Sequence, residues 1–99
     1  MEGIQDLLID ETLKFYDGLI KKAKIIIDGN EIEKEIYKTV KDGDTLRKYV
    51  YLDVEKGLVT KASLVDAQGR ELYVKVLNHQ KGNKGYAIVF PITQSREVS

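Results

Sequence analysis

The chain has 99 residues, with 16 basic and 16 acidic side chains, no cysteine, 42% hydrophobic residues and 32% charged residues. This length suits one domain, residues 1–99, and the composition is typical of a folded globular domain, which excludes wholesale disorder. The balanced charge gives no overall field that attracts nucleic acid, and the lack of cysteine excludes disulfides, a thiol nucleophile and thiolate metal sites.

The N-terminal segment predicts an amphipathic helix over about residues 4–22. Apolar residues such as Leu8 fall on one broad half of a helical wheel, and charged residues such as Lys14 fall on the other. The pair Asp17-Gly18 also allows an earlier end at Tyr16. The wide apolar face predicts that the helix packs on a sheet or on another protein.

The rest of the chain predicts six short antiparallel strands, because apolar residues alternate between glycine turns such as Asp28-Gly29. The predicted strands are Lys24–Asp28, Glu31–Val40, Leu46–Val54, Leu58–Asp66, Glu71–Leu77 and Tyr86–Thr93. Short connections favour a meander, so we expect a mainly β fold, a six-stranded antiparallel meander that forms a small β-sandwich or curled sheet with the helix at one side. Residues 94–99 are predicted to be a flexible tail.

The candidate functional residues are tyrosines and cations on one predicted sheet face. Alternation within the third, fourth and fifth strands gives each strand a polar or aromatic side, and these sides lie close together if the three strands are neighbours. The candidate residues are Tyr49, Tyr51, Tyr73, Arg47, Lys61 and Lys75. In the fifth strand this interpretation directs Leu72, Val74 and Val76 toward the core.

Aromatic residues interleaved with cations have two functional interpretations. They anchor protein interfaces, or they stack the bases of a single-stranded nucleic acid. The tyrosines can equally be ordinary strand residues that pair across the sheet, or lie beneath the helix or a second sheet. The zero net charge and the glutamates at 31, 33 and 35 weigh against nucleic acid. The sequence therefore predicts a protein partner or self-association, with a small single-stranded nucleic-acid-binding module as the alternative.

No residue pattern predicts catalysis, a cofactor or a metal site. His79 is the single histidine, and it lies in the predicted loop Asn78–Gly85 without a serine or aspartate nearby. A general base needs such a partner and a pocket. Asp42 and Asp44 flank Gly43 but lack the ligand series of a calcium loop. We therefore expect a non-enzymatic chain without cofactor or metal.

The N-terminus carries no basic and apolar leader pattern. The longest purely apolar run is Ile25–Ile27, far short of a membrane span. These features predict a cytoplasmic protein that does not associate with membranes.

Three stretches resemble small β-sandwich modules of phage and prophage virion proteins from Gram-positive hosts, tail and baseplate components in particular. They are Leu46–Leu52, Glu55–Val59 and Leu64–Leu72, the last with a Leu-Val-Asp-x-x-Gly corner. The resemblance spans roughly residues 24–93. It implies an assembly or accessory protein that acts through interfaces and is located in the virion, and it carries over no catalytic or binding residue.

Overall fold

The described residues form one helix and seven strands in the computed structural model, which describes residues 6–93 and the side chains of the helix from residue 11 onward. The elements are α1 (Asp6–Leu19), β1 (Lys22–Ile27), β2 (Asn30–Lys34), β3 (Lys38–Asp42), β4 (Thr45–Leu52), β5 (Gly57–Val65), β6 (Glu71–Lys81) and β7 (Tyr86–Thr93). The helix ends between its two predicted ends. The predicted helix start at residues 4–5 and the predicted tail at 94–99 lie outside the described residues.

The strands form two antiparallel sheets, a four-stranded sheet in the order β2-β1-β5-β6 and a three-stranded sheet in the order β3-β4-β7. The prediction of a mainly β antiparallel fold with one N-terminal helix is confirmed. The prediction of one six-stranded meander is wrong, because the chain changes sheets after β2, after β4 and after β6. Strands adjacent in the described sequence pair as hairpins at β1–β2, β3–β4 and β5–β6.

The predicted second strand, Glu31–Val40, is two strands in different sheets. Glu35–Tyr37 carry the chain from the four-stranded to the three-stranded sheet. Ile36 packs against the core, and the backbone N–H of Tyr37 donates to the carbonyl of Tyr49 at 2.7 Å. This crossover contains neither glycine nor proline, so no local turn signal marks it in the sequence.

Both sheets contribute side chains to one hydrophobic core. Its fully buried members come from β1, β4, β5 and β7 and include Ile25, Val50, Leu64, Ile88 and Phe90. Since a strand directs alternate side chains to opposite faces, the other half of each strand faces outward. The two outward faces are therefore the sheet surfaces that other molecules can reach.

The helix packs at one end of the three-stranded sheet. Leu13 of α1 is 1% exposed and forms a second apolar cluster with Leu46 of β4. The buried amine of Lys48, also on β4, donates to the carboxylate of Asp17 and to the hydroxyl of Thr39 on β3. An apolar contact and a polar one thus fix the helix on the same strand.

The Asp28-Gly29 hairpin predicted from the sequence is confirmed. Asp28 has φ 51° and Gly29 has φ 80°, and Ile27 pairs with Asn30 across the turn. Two central residues with positive φ are characteristic of a type I′ turn, whose twist matches that of the flanking strands. The Asp28 carboxylate also accepts the N–H of Leu58 at 2.9 Å and links the turn to the start of β5.

The corner between β5 and β6 is organised by the buried Asp66. Its Oδ1 accepts the backbone N–H groups of Gln68 at 3.0 Å and Arg70 at 2.9 Å, and its Oδ2 accepts Nε of Arg70 at 2.6 Å. Burial alone would raise the pKa of Asp66, but the hydrogen bonds from Arg70 and Gln68 outweigh it and hold the pKa below its ordinary value. The Leu-Val-Asp-x-x-Gly pattern therefore has a local structural role as a turn.

Candidate interaction surface

Three of the six candidate residues lie on one exposed face. Arg47, Tyr49 and Tyr51 alternate along β4 with the buried Lys48, Val50 and Leu52, so they project from the outward face of the three-stranded sheet. The predicted third, fourth and fifth strands are not all neighbours, because β4 belongs to the three-stranded sheet while β5 and β6 belong to the four-stranded sheet. The other three candidates consequently lie elsewhere.

Residues contributed by the neighbouring β3 edge extend this outward face. Lys38 pairs with Tyr49 across the β3–β4 ladder, and its Nζ lies 4.8 Å from the centroid of the Tyr49 ring. Tyr37 lies just before β3, and its ring centroid is 5.5 Å from that of Tyr51 with the planes inclined by 37°. Tyr37 is 65% exposed and Tyr51 is 37% exposed. We define the tyrosine face as Tyr37, Lys38, Arg47, Tyr49 and Tyr51.

Tyr51 is positioned by Gly85, which precedes β7. An added Cβ at Gly85 would lie 2.5 Å from Cζ of Tyr51, so the ring rests directly on the glycine backbone. A side chain there would displace the ring. The connection between β6 and β7 therefore sets the orientation of the aromatic pair on the tyrosine face.

A groove of about 550 Å³ opens beside the Tyr37–Tyr51 pair. Three exposed carboxylates line it, those of Glu33, Glu35 and Asp53. The groove therefore combines two aromatic rings with negative charge, a combination that attracts cations through the ring faces and through Coulomb interactions.

Lys34, the one lysine among the described residues that line this groove, is held in an ion pair. Lys34, at the end of β2, donates to Oε2 of Glu55 at 2.8 Å. That hydrogen bond lowers the pKa of Glu55 against the opposing effect of burial. Because the charge of Lys34 is balanced by Glu55, the three carboxylates of the groove keep a net negative charge.

Lys61 lies on the outward face of the four-stranded sheet, away from the tyrosine face. Its Nζ is 2.7 Å from Oε2 of Glu71, and the hydrogen bond from Lys61, with another from Ser63, holds the pKa of Glu71 below its ordinary value. Strict alternation along β5 would place Val59 on the face of Lys61, but Val59 is fully buried. The β5–β6 register shifts between these two residues, and this irregularity turns them to opposite faces.

Tyr73 and Lys75 lie between the two sheets, which reverses the facing predicted for this strand. The rings of Tyr73 and Phe90 meet edge to face with centroids 5.3 Å apart. The Nζ of Lys75 donates to the carbonyl of Val89 at 2.7 Å and lies 5.7 Å from the Phe90 ring centroid. Tyr73 and Lys75 therefore link β6 to β7, and the valines predicted to be core residues, such as Val76, face outward.

His79 belongs to β6 and not to the predicted loop. Its ring stacks on Tyr86, with centroids 3.7 Å apart and planes 12° from parallel. Among the side chains that the structure describes, no group of three histidine, aspartate or glutamate residues is arranged to hold a metal ion. Nor does that part of the chain include a helix of the length and hydrophobicity needed to cross a bilayer.

Two members of the tyrosine face, Tyr37 and Lys38, are not among the residues identified from the sequence, and Tyr37 is the aromatic one of the two. Tyr37 is on the same side of the predicted second strand as Glu31, Glu33 and Glu35, and it is the one aromatic residue of that segment. This pattern was a usable signal, but only the crossover between sheets brings Tyr37 beside Tyr51.

Comparisons with protein-family models, curated proteins and solved structures found no match to this chain. The resemblance to virion modules therefore stays a prediction.

Proposed function

We propose that this chain is a non-enzymatic protein–protein interaction module that binds its partner through the tyrosine face. The observation that carries the proposal is the exposed pair Tyr37 and Tyr51, joined to Tyr49 on the outward side of a three-stranded sheet. Tyrosine and arginine are enriched among the residues that dominate binding energy, because they combine large contact area with few rotatable bonds.

The charge of the groove defines the chemistry of the partner that we propose. Glu33, Glu35 and Asp53 surround the ring pair, so a protein segment presenting a lysine or arginine side chain is electrostatically complementary. Apolar side chains of that segment would cover the rest of the tyrosine face. The occupant is therefore a partner protein with alternating basic and apolar residues, in an extended conformation that lies along the outward sheet surface.

Nucleic acid is the second candidate because Lys38 and Arg47 flank Tyr49, as on sheet surfaces that stack bases. Two features favour the protein partner over it. Arg47 lies 3.5 Å from a carboxylate oxygen of Asp42, and the groove carboxylates repel phosphates.

The proposal also includes the β-sandwich architecture of the chain and the biological assembly in which it acts. Two sheets around a shared core support a small β-sandwich. An assembly role in a phage or prophage particle follows from the sequence resemblance and would supply the partner protein. The alternative location, proposed from the N-terminal sequence and the short apolar runs, is the cytoplasm.

The test is a binding assay with defined probes. Fluorescence anisotropy would compare a peptide of alternating lysine and valine, the same peptide with glutamate for lysine, and a short oligodeoxythymidine. We expect the lysine peptide to bind, and Tyr37→Ala to weaken its binding by about tenfold or more. Phe15→Ala is the matched control, because Phe15 is 64% exposed on the helix and Tyr37 is 65% exposed.

Two results would contradict the proposal. Equal binding of the lysine and glutamate peptides would show that the groove charge has no role. Binding of the oligonucleotide that weakens steeply with salt and is lost in Tyr37→Ala would support the nucleic-acid candidate instead.

A further inference from the structure

The β6 strand forms an edge of the four-stranded sheet and carries apolar side chains on its outward face. In the described part of the chain β6 pairs with β5 alone. Its outward residues Leu72, Val74 and Val76 are 40%, 46% and 86% exposed. An edge strand offers unpaired backbone donors and acceptors to another strand, and exposed apolar residues beside that edge mark an interaction surface.

The usual obstacles to edge pairing are weak over Tyr73–Val76, the part of β6 whose ladder with β5 is regular, and register shifts lie at both ends of this part. β6 contains no proline. Its inward lysine, Lys75, is a type of residue that can block an incoming strand. Here, however, the Lys75 amine reaches across to the carbonyl of Val89 and the ring of Phe90 on β7. The amine is thereby held against β7 of the other sheet.

The sequence of β6 is complementary to itself when two strands run antiparallel about a two-fold axis at Val74. In that register Leu72 faces Val76 of the second copy, and Val74 faces Val74 of the second copy. All three exposed apolar residues then find apolar partners across the ladder. On the inward side Lys75 lies opposite Tyr73 of the second copy, so no two lysines are opposed across the ladder.

The neighbouring register with its axis at Lys75 is less favourable. A shift by two residues places the axis at Lys75, so the two Lys75 side chains face each other, and Leu72 faces Asn78 of the second copy. Like charges directly opposite are destabilising in antiparallel pairs. The side-chain pattern therefore favours the axis at Val74 over the axis at Lys75.

We propose that two copies of this chain associate through β6 in this register, which joins their four-stranded sheets into one continuous sheet. The contact is isologous and closed, because the same edge serves both copies. The contact involves only one strand and its neighbours from each copy. We therefore expect it to bury less accessible surface than the roughly 1,200–2,000 Å² of a stable protein interface. We therefore expect a dimer that forms with rising concentration. This inference does not depend on the tyrosine face, which lies on the other sheet.

Disulfide trapping tests the register. The chain has no cysteine, so a single introduced thiol reports on its own surroundings. Val74→Cys should form a disulfide-linked dimer under mild oxidation, since residues opposite each other in an antiparallel pair have Cα atoms about 4.5–5.5 Å apart, within disulfide range. In Val76→Cys the two thiols are about 13 Å apart along the strands and should not be linked. Val54→Cys, at a 79% exposed valine in the β4–β5 connection, gives the rate for random collision.

We expect the Val74→Cys dimer to form roughly tenfold or more faster than the dimers of the two control variants, because paired thiols meet at a millimolar effective concentration. Equal rates for Val74→Cys and either control would overturn the proposal.

The second measurement is the weight-average mass in solution, determined by light scattering on chains without an introduced cysteine. The weight-average mass of the wild-type chain should rise from 11.3 kDa toward twice that value with concentration. Val76→Lys should remain at the mass of one chain, while Val54→Lys should behave as wild type. A wild-type mass that never rises, or an unchanged rise in Val76→Lys, would refute the β6 contact. Tyr37→Ala should still associate, so loss of peptide binding and loss of association are separable.

Discussion

Asp17→Ala tests whether the buried Lys48 amine fixes the helix to β4. Lys48 is 3% exposed, and its partners are the carboxylate of Asp17 and the hydroxyl of Thr39. Removal of one partner of a fully buried ion pair costs about 3–5 kcal/mol. The Asp17 side chain is 52% exposed, so water screens the pair and can solvate the amine that remains. We therefore expect the free energy of unfolding to fall by about 1–2 kcal/mol.

The assay is urea and thermal denaturation of Asp17→Ala, Lys48→Met and the double variant. A loss of 1 kcal/mol corresponds to about 4–8 °C in Tm for a chain of this size. Lys48→Met should cost less than Asp17→Ala, because methionine fills a similar volume without a charge. In the double variant the Asp17→Ala change should have little further effect, since the amine that it would leave unpaired is absent.

Glu11→Ala provides the matched control on the same helix. Glu11 and Lys14 form a pair whose side chains are 61% and 73% exposed, and pairs of that kind contribute at most about 0.5 kcal/mol. If Asp17→Ala and Glu11→Ala lower stability equally, the contact between Asp17 and Lys48 does not hold the helix, and the reasoning is refuted.

Two other predictions concern the tyrosine face and the acid stability of the fold. Gly85→Ala should displace the Tyr51 ring and weaken binding of the lysine–valine peptide severalfold. Gly82 has open space around it, so the Gly82→Ala variant should bind the peptide as the wild-type chain does. Equal anisotropy curves for the two variants would contradict the role of Gly85. The pKa values of Glu55 and Asp66 in the folded chain are lowered from 4.5 and 3.8, so the unfolded chain takes up protons at these carboxylates at higher pH than the folded chain does. The free energy of unfolding, measured by urea denaturation across pH, should therefore decrease as the pH falls through and below about 4.5. Asp66→Asn should show a shallower decrease, and an unchanged slope would count against that role for the carboxylate.

The facing of β6 could not be read from alternation alone. One side of the strand carries Leu72, Val74 and Val76, and the other carries Tyr73 and Lys75, so apolar content favours the wrong side. The structure places Tyr73 inward because β7 offers the ring of Phe90 as an edge-to-face partner. That partner is distant in sequence, and β6, at a sheet edge, leaves its valines on an exposed outward face. Strand periodicity predicts two faces, but long-range packing decides which face is buried.

The Arg47, Tyr49 and Tyr51 part of the tyrosine face was predictable because it depends on parity within one uninterrupted strand. The predicted link to Lys61 depended on β4 and β5 being neighbours, and a change of sheet intervenes between them. Tyr37 joins the face through a crossover without turn residues. Local sequence thus predicts single-strand features of this site, while sheet membership, which arises from non-local pairing, determines the rest.

The two proposed contacts are geometrically compatible with each other. Antiparallel pairing of β6 about an axis perpendicular to the sheet keeps outward faces with outward faces. Both three-stranded sheets then lie on the same side of the continuous sheet, because each packs on the inward face of its own four-stranded sheet. The two tyrosine faces consequently point in the same general direction. A dimer of this kind would engage two basic segments of one partner assembly, and the second binding event would benefit from effective concentration. Modest affinity at each surface is therefore sufficient for tight attachment to a repetitive partner.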